Sequence, residues 1–104
     1  MFEASKNRYV TRGMASRVPF ELQLFLWGII EKEKTRHKLD YLQVFRLEVD
    51  KEGNLHVHYS QEQPGRHRTY SLATAGAEVT KLDGEKIYAI DDGTHATMLL
   101  AEEY

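Results

Sequence analysis

The sequence predicts an α+β fold, with one long helix packed against a curved, mainly antiparallel β-sheet in a single domain, 1–104. Three observations carry this reading. Residues 19–38 place apolar side chains at helical spacing. From Tyr41 onward, short runs of apolar residues and β-formers are broken by Glu-Gly, Pro-Gly and Asp-Gly pairs. The order of strand, helix and then a string of turn-linked strands leaves an antiparallel sheet as the partner for the helix. At 104 residues, 41% of them apolar, the chain can bury one core without metal or crosslinks.

Arg8-Tyr9-Val10-Thr11-Arg12 alternates and is rich in β-formers, so it reads as a short strand stopped by Gly13. The helix over 19–38 starts at Pro19, whose missing N–H costs nothing in a first turn. Glu21 suits its positive end, and Lys34, Arg36 and Lys38 suit its negative end. Leu22, Phe25, Leu26, Ile29 and Ile30 form one wide stripe, while Phe20, Leu24 and Trp27 fall nearly opposite. Two stripes predict that the first half of the helix is covered from both sides. The second half, Glu31 to Lys38, is polar and expected in solvent. Gly28 costs about 1 kcal/mol against alanine inside a helix, which a close backbone approach would explain.

Residues 41–60 read as a hairpin of determinable register. A Lys51-Glu52-Gly53 loop, with Gly53 left-handed, pairs Val49 with Leu55, Leu47 with Val57 and Phe45 with Tyr59. A two-residue loop would set His56 against Val49 and mix the faces, so it is rejected. The favoured register sets His56 opposite Glu48 and His58 opposite Arg46. Pro64-Gly65 marks the next turn, before a strand at 68–72. Asp83-Gly84 and Asp92-Gly93 predict hairpins joining strands near 78–82, 85–91 and 94–101. The run from Ala96 to Glu102 also contains good helix formers, and its pattern alone does not choose. Disorder is expected only in the first few residues and around the 73–77 loop.

Composition narrows the chemistry. There is no cysteine, which excludes disulfides, thiolate metal sites and cysteine nucleophiles. No apolar run is long enough to span a membrane, and the opening residues lack the apolar core of a signal peptide, so a cytoplasmic location is expected. Residues 1–38 carry eight basic and four acidic side chains, against six and twelve in 39–104. Such asymmetry can mark a binding surface, although exposed helix lysines and loop aspartates explain it as well.

His56-x-His58 has a spacing that zinc could use, but no third ligand is identifiable, and a cross-strand pair on a wet face is favoured. Asp91-Asp92-Gly93-Thr94-His95 contains residues that catalysis uses and that a tight turn requires, and the turn is preferred. Lys6, Arg8, Arg12 and Arg17 around Tyr9, and Arg66, His67 and Arg68 before Tyr70, could touch a nucleic-acid backbone, yet neither matches a reading module. Nucleophile-elbow, phosphate-loop, dinucleotide and His-Glu-x-x-His motifs are absent. Phe20, Leu24 and Trp27 stand out, since they are either core or an exposed anchor of the residue types that carry binding energy.

Three blocks, Tyr9-Val10-Thr11-Arg12-Gly13, Glu21-Leu22-Gln23-Leu24-x-Leu26-Trp27 and Asp40-Tyr41-Leu42-Gln43-Val44-Phe45-x-Leu47, resemble those of the domain of unknown function 960 family. The close of the chain, from Asp91-Asp92-Gly93 through Thr97 to Tyr104, is similar to that family's C-terminal end. The resemblance implies a small cytoplasmic protein of Gram-positive bacteria, often carried with phage or plasmid genes. It brings no catalytic residue with it. The expected function is therefore a non-enzymatic interaction or self-associating module using Phe20, Leu24 and Trp27. The alternative is a nucleic-acid-associated accessory factor using Arg8, Arg12 and Arg17, and the third reading is a small metal-dependent enzyme. No cofactor, resident metal or membrane partner is expected.

Overall fold

Alternation of apolar and polar residues produces a six-stranded sheet in the computed structural model, which describes residues 1–3, 7–73 and 76–104. The strands are β1 (Asn7–Val10), β2 (Leu42–Val49), β3 (Leu55–Gln61), β4 (Arg66–Leu72), β5 (Lys86–Asp91) and β6 (His95–Leu100). Their order is β1-β6-β5-β2-β3-β4. Every pairing is antiparallel except the edge pair β1–β6, which is parallel. Helices are α1 (Arg12–Arg17), α2 (Phe20–Lys34) and α3 (Ala77–Thr80), and a 3-10 turn (Ala101–Glu103) follows β6. The fold is thus mixed α and β. One helix is long, as expected, and two short helices that were not expected accompany it.

The β2–β3 register is the expected one, with Val49 opposite Leu55, Leu47 opposite Val57 and Phe45 opposite Tyr59. Gly53 takes a φ of +84° at the loop, the left-handed conformation that the three-residue turn requires. The core lies between α2 and one sheet face. Leu22, Leu26, Ile29 and Ile30 share it with Phe45, Leu47, Val57, Ile87 and Met98.

Several expectations are corrected. Thr11 ends the first strand by capping a helix, and its hydroxyl oxygen accepts from the Met14 N–H at 3.3 Å. The six-residue α1 buries Met14, and Val18 behind it is also buried, so Gly13 lies inside a helix. The strand expected at 78–82 is α3, with Val79 and Thr80 donating back to the Gly76 carbonyl. Asp83-Gly84 therefore leads from a helix into β5 and does not close a hairpin. There Asp83 Oδ1 accepts from the Val49 N–H at 2.8 Å, and Gly84 N–H donates to Leu47 O at 2.8 Å. Residues 95–100 resolve as strand. The helix ends at Lys34, short of the expected 38, and the polar stretch 31–38 is not wholly solvated, since Glu33 is 1% exposed and the His37 side chain 2%. Nothing lies within 4 Å of a Cβ built on Gly28, so no close approach accounts for that glycine. Phe2 is buried, held by its N–H to Asp91 Oδ2 at 2.5 Å and by Lys34 Nζ donating to its carbonyl at 2.9 Å. The remaining disorder expectations, at 4–6 and 74–75, lie outside the described residues.

Candidate functional site

Helix α2 begins without a side-chain cap, and Leu22 and Gln23 both donate to the Pro19 carbonyl. Its core stripe points at the sheet. The opposite stripe divides in two. Phe20 is 65% exposed and Leu24, one turn on, 53%. Trp27, the next residue on that line, is only 8% exposed. Arg8 of β1 covers it, with its guanidinium carbon 4.8 Å from the indole centroid, and pairs with Glu31 one turn beyond. The three candidate residues therefore do not share one exposed patch: Trp27 is core, while Phe20 and Leu24 are surface. The cover expected on both flanks exists at Trp27 and not at the helix start.

A groove of about 800 Å³ opens beside Phe20, walled by Val10, Val18, Pro19 and Leu82. Its rim carries Arg17 and Lys81 against Glu78 and Glu85. A second hollow, about 600 Å³, lies between the start of α2 and the chain after β4, lined by Leu22, Leu55, Leu72, Ala73 and Val79.

The N-terminal arginines do not form a free basic patch. Arg8 is committed to Trp27 and Glu31. Arg17 grips Glu102 through both terminal nitrogens, at 2.7 and 3.1 Å, with Glu85 at 3.7 Å. Arg12 is exposed. Lys6 lies outside the described residues. In β4, Arg68 and Tyr70 turn to the helix side and bind Glu33, leaving His67 on the outer face.

His56 and His58 face outward opposite Glu48 and Arg46, as the register predicts, but each bonds diagonally. His56 Nε2 lies 2.9 Å from Asp50 Oδ2, and His58 Nε2 lies 2.7 Å from Glu48 Oε1. The His56 contact, with backbone N–H donors from Asn54 and Glu52, holds the Asp50 carboxyl down at about 2. Among the described residues, no three His, Asp or Glu side chains converge as metal ligands. Asp91 is buried and fixes Phe2 and the Gly93 N–H. Asp92 accepts from the backbone of His95 and Thr94, which holds its carboxyl down at about 2. Both aspartates build the turn.

Sequence reasoning missed the polar joint at the end of α2. Burial alone pushes the Glu33 carboxyl up, but hydrogen bonds from Tyr70, Arg68 and His37 and the Arg68 charge outweigh it and hold it below the ordinary carboxylate range. Burial and the neighbouring Glu33 carboxylate push the Tyr70 phenol up to about 12. Behind them the Tyr59 hydroxyl donates to Gln43, and Gln43 Nε2 donates to Gln61 Oε1 at 2.8 Å. Among the described residues no buried side-chain nitrogen or oxygen lacks a hydrogen-bond partner, and the joint ties the end of α2 to β3 and β4. The only signal available from sequence was Glu33-x-x-x-His37 at one-turn spacing, which looks the same on a wet helix face.

No curated protein matches the chain. Its fold matches the crystal structure of a protein of unknown function from Enterococcus faecalis, at 28% identity and a TM-score of 0.83, over 99% of this chain and 94% of that one. A family model described as staphylococcal protein of unknown function (DUF960) matches residues 7–103. With that match over nearly its whole length, and with the blocks around Tyr9, Trp27 and Tyr41 inside it, the chain belongs to the domain of unknown function 960 family.

Proposed function

We propose that the protein is a non-enzymatic cytoplasmic module that associates with a second copy of itself through the start of α2. The observation that carries this reading is the exposed pair Phe20 and Leu24, one turn apart, with Phe20 lining the groove. Large apolar side chains held on a helix are the type that anchors interfaces, and they gain by leaving water. The same surface holds a projecting ring and a groove lined by both apolar and charged side chains, Arg17 and Lys81 with Glu78 and Glu85. A patch with both shapes and both charges can complement itself across a two-fold axis. Trp27 supports this surface from within and is not part of the contact.

Sedimentation velocity over a protein concentration series tests the proposal. The parent should shift from monomer to dimer, and Phe20→Ser with Leu24→Ser should stay monomeric, with the unfolding midpoint of the parent at dilutions where the parent is monomeric. A parent that stays monomeric throughout, or a double variant that dimerises equally, overturns it. The nucleic-acid reading at Arg8, Arg12 and Arg17 has weaker support, because two of the three are neutralised by carboxylates.

A further inference from the structure

The sheet face away from α2 is uncovered over β2 to β5, while on β6 Leu99, opposite Tyr88, is buried. Of the side chains it presents on β2, β3, β4 and β5, none is buried. At one end Arg46 lies directly opposite Lys86 across β2–β5 and opposite His58 across β2–β3. Ser60 faces His67 across β3–β4. These five residues and Val44 line a recess of about 200 Å³. The His58 and His67 rings stack above it, with centroids 6.5 Å apart and planes 16° apart.

None of the lining residues is acidic. Glu48, just outside, is taken by His58, whose other ring nitrogen lies 3.1 Å from Thr69 Oγ1. Among the described residues, Arg46, Lys86 and His67 have no carboxylate at ion-pair distance. Like charges directly opposite one another destabilise a sheet. Here two cations are so placed, with two imidazoles and a hydroxyl around them and no counter-charge in the recess. An external anion would relieve the repulsion, and a phosphate group offers the acceptor oxygens that guanidinium, ammonium and hydroxyl donors need.

The same face continues into aromatic residues. Tyr88 lies two residues along β5 from Lys86 and meets Tyr104 edge-on at 5.4 Å. Tyr9 of β1, 52% exposed, meets His95 edge-on at 5.1 Å. Cations with tyrosine rings near them on one face are the two elements that single-strand binding uses: the backbone follows the charge and the bases stack on the rings. We propose that this outer sheet face binds single-stranded nucleic acid, with a backbone phosphate in the Arg46/Lys86 recess and bases against Tyr88 and Tyr9. The proposal goes beyond self-association and uses the opposite side of the sheet, so either can fail alone.

Fluorescence anisotropy with labelled oligothymidine and oligouridine of about fifteen nucleotides tests it. The parent should bind, with affinity falling steeply between about 50 and 200 mM salt. Arg46→Gln with Lys86→Gln should weaken binding at least about tenfold and flatten the salt dependence. Tyr88→Ala should weaken it about tenfold with the salt slope unchanged. Arg46→Gln with Lys86→Gln removes the facing charges and should not lower the unfolding midpoint, and Phe20→Ser with Leu24→Ser should bind as the parent does. No binding at low salt, binding that Arg46→Gln with Lys86→Gln leaves intact, or displacement by inorganic phosphate or duplex as readily as by single strand would overturn the proposal.

Discussion

At the scale of single residues, two side chains join the helix to the sheet. Glu33 gathers Tyr70, Arg68 and His37 around a carboxylate that is 1% exposed. Breaking such a buried charge cluster by removing one member leaves the others unpaired, so Glu33→Gln should cost about 2–4 kcal/mol in chemical denaturation. Because the folded-state pKa of Glu33 is lowered, its contribution is complete above the unfolded carboxyl pKa. It drains away as pH falls through the folded value, so the parent should lose more stability on acidification than Glu33→Gln does. Urea midpoints measured down through the carboxylate range check this, and parallel curves for the two proteins would contradict it. Arg8 is the second such residue. Arg8→Ala removes a cation–π contact worth about 0.5–2 kcal/mol and uncovers the indole. As Trp27 is the only tryptophan, its emission should move to longer wavelength in that variant, and an unmoved spectrum would show that another group does the shielding.

At the scale of elements, α2 contains an avoidable weakness. Gly28 sits in mid-helix, and nothing lies within 4 Å of a Cβ placed there. Gly28→Ala should therefore stabilise the protein by about 0.5–1 kcal/mol, read as a higher thermal midpoint. Gly13 behaves differently, because a Cβ there meets Glu103 Oε2 at 2.6 Å. That carboxylate also takes the Thr11 hydroxyl at 2.5 Å and the Leu100 N–H at 3.0 Å, so Gly13→Ala should lower the midpoint. What the sequence made legible at this scale was periodic. The β2–β3 register followed from keeping Phe45, Leu47 and Val49 on one face, and the Asp92-Gly93 hairpin from its turn residues. Helix α1 was hidden because Thr11-Arg12-Gly13 looks like the end of a strand, and only the burial of Met14 and Val18 reveals the turn. Helix α3 was hidden because Asp83-Gly84 is a hairpin signal that here serves a helix exit. Glu33 and His37 were hidden because tertiary partners decide whether a polar residue is wet.

For the molecule as a whole, the sheet separates two surfaces. One side carries α2, with its apolar start and its pinned end. The other carries the cationic recess and the tyrosines. Among the described residues, no helix is long and apolar enough to cross a membrane. The apolar start of α2 was legible as an unusual second stripe, whereas its division at Trp27 was not, because Arg8 arrives from a strand that sequence spacing cannot place. The uncovered pair Phe20 and Leu24 is the feature on which the proposed association rests. Amide and methyl NMR spectra recorded while the protein is diluted test that most directly. Concentration-dependent shifts should cluster at Phe20, Leu24 and the groove residues Val18 and Leu82, and should vanish in Phe20→Ser with Leu24→Ser. Spectra that do not change with concentration, or shifts confined to another surface, would contradict the account.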